Sequence, residues 1–330
     1  MIVVWRIDTH CNLACGFCAY DRRLDVPRQR VAAAPVAAFL DVLGEWSRQR
    51  AQPVLVSWLG GEPTRWPHWK AMSQHARALG LRVSLTSNGT GLQQEAARAA
   101  LIEHLDELTL SLDALGTTHD QLRGWPGGSA SVLVAIRALA EARAARAPAF
   151  KLRVNVVLMQ RTLAGFAALG DALAAAGVDE LSFNALGGRD RPEFHASEAL
   201  RVADIERLRA ALPAWRQRWR AQGMRLCGDA HYLDRLQRAA AGIAVPVADC
   251  APGRHFLFID EHGTVAPCAY TAADYGLPLS ALQQPADLDA LPARWRQARA
   301  QRRAADCADC PSTQWAGKFA LAMEEMVHGH

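Results

Sequence analysis

A parallel α/β fold, a partial (β/α)6 TIM-like barrel followed by a small C-terminal α+β unit, is predicted by three observations. Short apolar or alternating runs recur six times, and each is followed by a longer Ala- and Leu-rich stretch with helical spacing. Glycines such as Gly80 and Gly177 close those stretches. Beyond Arg225 the pattern changes to fewer regular helices, more Gly and Pro, and five of the eight cysteines. Repeated strand-then-helix order favours parallel strands joined by crossover helices, with functional loops at the strand C-terminal ends. The expected division is a barrel over 1–224 and a second unit over 225–330.

The elements follow in order. Strands are expected at 3–7, 54–58, 82–86, 107–112, 151–158 and 180–183, the fifth on its Lys151/Arg153/Asn155 alternation. Helices are expected at 33–49, 68–79, 93–104, 131–146 and 163–176. In the second unit, the run from Phe256 to Val265 reads as a β-hairpin turning near Gly263. That hairpin would bring Cys250 and Cys268 together, and Cys307-x2-Cys310 would close the site.

At 330 residues, half of them hydrophobic, with a net charge of +4, the chain buries one large or two modest cores. No apolar run reaches the roughly 18 to 20 residues of a membrane span, and no signal peptide is recognisable. A cytoplasmic protein is expected, in which eight cysteines read as metal ligands rather than disulfides. The arginines are scattered, which argues against nucleic acid; Arg207, Arg209, Arg216, Arg218 and Arg220 read as a solvated helix face.

The chemistry starts at Cys11, Cys15 and Cys18, directly after the first strand. Their x3/x2 spacing supplies three thiolates and no fourth, with His10 the only other nearby donor. A zinc loop closes its tetrahedron, and a cubane iron–sulfur cluster normally takes four cysteines. Three leave one iron open to a ligand that is not protein.

The run Cys11-Asn12-Leu13-Ala14-Cys15-Gly16-Phe17-Cys18 resembles the signature loop of the radical S-adenosylmethionine (radical SAM) enzymes. The resemblance implies a [4Fe-4S] cluster whose open iron is chelated by the methionine amino and carboxylate groups of SAM. One electron then cleaves SAM to a 5′-deoxyadenosyl radical. Gly60-Gly61-Glu62-Pro63 is similar to the family's GGE motif, which assigns Gly60, Gly61 and Glu62 to the SAM amino group. Ser87-Asn88-Gly89-Thr90 resembles its SNG or TNG segment, placing Asn88 and Ser87 at the ribose or carboxylate. Ser111 and, twelve residues later, Arg123 in His119-Asp120-Gln121-Leu122-Arg123-Gly124 match the pair that holds the SAM carboxylate. Phe17 and the backbone near Ala19 and Tyr20 are expected against adenine. Read singly, these segments also serve as plain turns, a helix cap, a surface charge and a core aromatic.

The pattern Cys250-x12-Gly263-x4-Cys268, gap, Cys307-x2-Cys310 resembles the shortened SPASM or "twitch" domain, which implies an auxiliary [4Fe-4S] cluster. Spacing alone suits zinc equally. The stretch from Pro311 to Ala316 adds no cysteine, so one auxiliary cluster is expected, and Cys227 reads as a small buried side chain.

The expected function is hydrogen abstraction from a C–H bond with net oxidation of a small-molecule substrate, of natural-product or cofactor type, the auxiliary cluster taking the electron. An electron donor such as flavodoxin or ferredoxin is implied. The chain begins at the first barrel strand, without an N-terminal peptide-recognition module, which shifts weight to a small molecule or to a peptide presented by another protein. A maturase modifying a ribosomal peptide, and a non-catalytic zinc-binding module, are the alternatives. Among His231, Asp229, Arg153 and Asp190, spacing singles out no general base.

Overall fold

The computed structural model describes residues 1–147, 149–187, 191–310 and 312. Asp190 and the stretch after Ser312 lie outside the described residues.

One ten-stranded sheet organises these residues. Six parallel strands run in sequence order: β1 (Ile2–Asp8), β2 (Leu55–Gly60), β3 (Arg82–Ser87), β4 (Glu107–Ser111), β5 (Lys151–Leu158) and β6 (Glu180–Ala185). They match the predicted runs to within two residues at either end. Helices Ala33–Arg50, Trp69–Ala78, Glu95–His104 and Gly128–Arg146 fill the first four crossovers as expected. The next predicted helix divides at Gly165 into Gln160–Leu163 and Phe166–Ala175.

Alternation along the strands separates two faces. Val3, Trp5, Ile7, Val56, Trp58, Val83, Leu85, Leu108, Leu110, Val154 and Val156 are buried against the helices. The other face, with Ser57, Thr86, Thr109, Ser111, Asn155 and Asn184, is polar and half-buried, so the barrel interior is hydrophilic. Its floor is an ion-pair lattice. Glu107 meets Arg82 and Arg153, and Glu180 meets Lys151, Arg153 and Arg225.

Past residue 224 the sheet continues. β7 (Arg225–Leu226) joins the β6 edge, and β8 (Phe256–Ile259) lies parallel to β1 on the opposite edge. β9 (Thr264–Ala266) folds back antiparallel to β8, and β10 (Leu277–Pro278) follows. The predicted hairpin is thus present. Its turn is held by Asp260, whose Oδ1 accepts from His262 N and Thr264 N, with Gly263 at φ +77°.

This part is more helical than expected. Ala230–Ala240 and Pro285–Gln301 are regular helices, the first capped by Asp229 accepting from Tyr232 N at 2.8 Å, the second started by a proline at its first turn. The helix Val202–Arg220 carries the five arginines, but the predicted solvated face is only partly so: Arg207, Arg218 and Arg220 are exposed, the first two pairing with Asp204 and Asp171, while Arg209 and Arg216 are half-buried and meet Asp234 and the Gly228 carbonyl.

Candidate functional site

β1 ends in a register shift between Arg6 and Asp8, and the cysteine loop leaves from there. Two buried carboxylates bracket the loop. Asp8 accepts from His10 N (2.7 Å), from the His10 ring at Nδ1 (2.7 Å) and from Arg30 Nε (2.8 Å). Asp21 takes Arg23 through its backbone and guanidinium and Arg191 at 3.2 Å; although burial opposes ionisation, these donors pull its carboxyl down to about 2. The His10 ring is therefore turned to Asp8.

Gly60 and Gly61 let this loop sit on the end of β2. A Cβ on Gly60 would stand 2.0 Å from the Asp8 carbonyl oxygen, and one on Gly61 would stand 2.3 Å from that of His10. The close approach is sealed by hydrogen bonds from Gly61 N to Asp8 O (2.7 Å) and from Glu62 N to His10 O (2.9 Å). The two glycines thus set the height of Cys11 above the barrel.

Glu62 is fully buried and its oxygens already serve the protein. They accept from Thr64 N and Oγ1, Ser87 Oγ (2.9 Å) and Asn88 N (2.7 Å), tying the end of β2 to the end of β3. Burial raises its carboxyl above the usual range, against those donors. Asn88 then reaches across: its Nδ2 donates to Asn12 Oδ1 (3.0 Å) and lies 3.7 Å from Cys11 Sγ, while Thr90 returns two donors to Asn88 Oδ1. Asn12 in turn donates to Thr90 Oγ1 at 2.8 Å.

Arg123 closes the other side. Its guanidinium lies 5.2 Å from the Phe17 ring centre, and Phe17 meets Phe194 at 6.0 Å. Arg123 Nε donates to Asp113 Oδ2 at 2.7 Å, and Asp113 Oδ1 accepts from Val157 N at 2.9 Å. Burial opposes the Asp113 charge, but Arg123 outweighs it and the carboxyl lies below the usual range. Asp113 N donates to His119 Nδ1 at 3.1 Å, which places the His119 proton on Nε2. Cys15 stands among these charges: burial pushes its thiol up to about 12, with Arg123 pulling back and Cys18 and Cys11 pushing further. Ser111 ends β4 on the interior face, in register with Asn155.

The structure therefore gathers Cys11, Cys15, Cys18, Phe17, Gly60, Gly61, Glu62, Ser87, Asn88 and Arg123 at the strand C-terminal ends. Asp8, Asn12, Asp113 and His119 join them without having been singled out by sequence. Asp113 stands two residues after Ser111, and in an extended chain that spacing puts both side chains on one face.

Four of the other five cysteines stand apart. Cys250, Cys268, Cys307 and Cys310 line one cavity of about 570 Å³, together with Arg299 and Ile2. Three segments converge there. Val247 N donates to Cys307 O at 3.2 Å, Cys310 N to Val245 O at 3.0 Å, and Cys268 Sγ meets Thr271 Oγ1 at 3.3 Å. Burial raises the Cys250 and Cys268 thiols, with Arg299 drawing Cys250 back. Among the described residues no three Cys, His, Asp or Glu side chains converge as they would on one ion, here or at the N-terminal loop. Ile2 opens β1 and Asp8 ends it, so the edge of this cavity at Ile2 lies roughly 20 Å, at about 3.3 Å per residue, from the strand end that leads into the cysteine loop.

The remaining candidates are engaged. Asp229 is the helix cap described above, Arg153 belongs to the floor lattice, and His231 lines the 570 Å³ cavity. Cys227 is buried and its N–H joins Leu181 O at 2.8 Å.

Residues 6–159, which include the cysteine loop and every element that surrounds it up to the end of β5, match the family model of the Radical SAM superfamily. This stretch is a radical SAM domain. The AdoMet-dependent heme synthase of Methanosarcina barkeri is 25% identical over 283 residues, covering 82% of this chain and 76% of that one. The mycofactocin maturase MftC of Mycobacterium ulcerans is 26% identical over 82% of this chain and 69% of its own length. In fold, the chain is similar to Streptococcus suis SuiB crystallised with S-adenosylmethionine, with a TM-score of 0.64 at 18% identity over 88% of this chain; it spans 64% of SuiB.

Superfamily membership implies a [4Fe-4S] cluster and SAM, and the radical SAM site described here has donors that suit both. Three loop thiols leave one iron open, and Arg123 supplies a held cation beside them. Replacing Asp113 with asparagine keeps the acceptor for Val157 N but leaves Arg123 buried without its counter-charge. The expected cost is about 3 to 5 kcal/mol of stability, read from the denaturant midpoint.

His119 makes stability pH-dependent. It is 1% exposed, and burial lowers its imidazole to about 4 against the pull of Asp113. The unfolded imidazole protonates near 6.5, so this contribution is complete above pH 6.5 and is lost as pH falls from 6.5 to 4. Thermal unfolding across that window should show the loss, on the order of 3 kcal/mol. His119→Asn, which keeps an acceptor for Asp113 N, should flatten it.

Proposed function

We propose that this radical SAM enzyme abstracts hydrogen from a C–H bond and carries out a net oxidation of a small-molecule substrate, of natural-product or cofactor type, using a second [4Fe-4S] cluster held by Cys250, Cys268, Cys307 and Cys310. The supporting observation is the cavity of about 570 Å³ that these four cysteines line. A zinc ion needs four sulfurs about 3.8 Å from one another, at Zn–S near 2.3 Å; a cubane puts each thiolate on a different iron and fills a larger space. A cluster with four protein ligands supplies electron transfer and no open coordination site. Its place, in a cavity whose edge at Ile2 is a strand's length from the end of β1 that leads into the cysteine loop, suits that use.

In this reading Cys11, Cys15 and Cys18 hold the first cluster at its other three irons. Arg123, fixed by Asp113, meets the SAM carboxylate with Ser111; Asn88, Ser87, Phe17 and the Gly60–Glu62 backbone shape the rest of the SAM pocket. The polar barrel interior, with Thr86, Thr109 and Asn155, receives the substrate. A low-potential donor of the flavodoxin or ferredoxin kind supplies the electron, in the cytoplasm. Among the described residues no helix is long and apolar enough to cross a membrane.

A second reading, modification of a ribosomal peptide, is favoured by the likeness to the maturase MftC. The deciding experiment combines iron analysis of anaerobically reconstituted protein with mass spectrometry of candidate metabolites and precursor peptides from the gene neighbourhood. About eight irons per chain, reductant-dependent 5′-deoxyadenosine and an oxidised small molecule support the proposal. A modified peptide moves the conclusion to the second reading, and zinc in the C-terminal site removes the auxiliary cluster.

A further inference from the structure

Arg299 enters the C-terminal cavity from the last turn of the helix Pro285–Gln301. Its side chain is only 10% exposed. Nη1 lies 3.5 Å from Cys250 Sγ, while Nη2 donates to the carbonyls of Val247 (3.1 Å) and Ala248 (3.2 Å). The nearest carboxylate, Asp249, stands 3.7 Å away with its side chain 64% exposed, so water screens that pairing. Cys250 is itself exposed, so the guanidinium meets its sulfur at the rim of the cavity. A second buried cation, Arg235 at 6% exposure, feels the charge of Cys310; burial lowers its pKa and Cys310 counters.

The N-terminal loop is built differently. There the donor beside Cys11 Sγ is the neutral amide of Asn88 at 3.7 Å, and the neighbouring cation, Arg123, is bound to the fully buried Asp113. One set of thiols thus sees a compensated ion pair and the other a cation with a screened partner. Net charge and hydrogen bonds to the sulfurs set the potential of an iron–sulfur centre, and charge-assisted bonds are about twice as strong as neutral ones. A cation stabilises the reduced, more negative state.

We propose that Arg299 is a positioning residue of the C-terminal centre that raises its reduction potential, through Cys250, above that of the N-terminal centre, and so makes it the electron acceptor of the pair. The inference rests on reading the four cysteines as ligands of an auxiliary cluster.

The test is an anaerobic redox titration of the reconstituted full chain, followed by electron paramagnetic resonance, with iron counted in every sample. Arg299→Gln should keep about eight irons. At the potential that half-reduces the wild-type C-terminal centre, its ratio of reduced to oxidised centre should fall at least tenfold, about 59 mV for a one-electron couple. The N-terminal centre should not shift. Eight irons with an unchanged C-terminal potential overturn the role of Arg299 and leave the auxiliary cluster standing. About four irons in the wild type overturn the cluster reading itself, and this proposal with it. Should Arg299→Gln fail to hold the second centre, Arg299→Lys decides, because it keeps the charge and loses the fork to Val247 and Ala248: the wild-type potential supports the proposal, and a tenfold drop overturns it.

Discussion

Cys15→Ala is expected to reduce 5′-deoxyadenosine formation to background and to lower the iron content from about eight to about four per chain. Cys15 is 5% exposed and lies between Arg123 and the other two loop cysteines. The loop offers three thiols, each assigned to one iron, so two cannot retain a cluster that also has to leave an iron open. The fold should survive, because a buried cysteine behaves as a small apolar side chain and alanine removes a single heavy atom. With the proposed auxiliary cluster in place, the four irons that remain report the C-terminal site, which shares no segment with the loop. Retention of SAM cleavage by this variant would remove the loop from the chemistry.

Cys307→Ala should separate the two halves of the reaction. SAM cleavage is expected to persist, because Cys307 lines the cavity whose edge at Ile2 is the far end of β1 from the loop, while oxidised product is lost and iron again falls to about four. Cys307 is 8% exposed, and its carbonyl accepts from Val247 N, a contact the alanine keeps. Liquid chromatography with mass detection of 5′-deoxyadenosine and product in one sample reads both effects. Undiminished product would end the electron-acceptor role of the second centre.

The barrel strands were legible because each alternates or runs apolar in isolation: Lys151–Leu158 was read to the residue from Lys151, Arg153 and Asn155. The cysteine loop was legible because its donors lie within eight residues of chain. What was not legible depends on distant partners. Asp113 acquires its meaning from Val157 N, forty-four residues on, and from Arg123, so no local pattern marks it as the anchor of the cation. Glu62 is assigned to the SAM amino group by its motif alone, and the motif gives no sign of the four donors from Thr64, Ser87 and Asn88 that surround it. The helix Pro285–Gln301 lies in the stretch expected to be irregular for its Gly and Pro, yet Pro285 occupies its first turn, where the missing N–H costs nothing. The pairing of β8 with β1 joins residues some 254 positions apart, as between Ile2 and Phe256, and sequence periodicity carries no trace of such a partner.

That pairing also dictates when the molecule becomes safe. Until Phe256–Ile259 has been synthesised and docked, one side of Ile2–Asp8 presents unsatisfied amides beside Val3, Trp5 and Ile7, a template for sticking to other chains. The nascent N-terminal half must therefore wait for a late segment to cap its earliest strand, and a polypeptide cut before Phe256 should precipitate rather than persist as a free barrel.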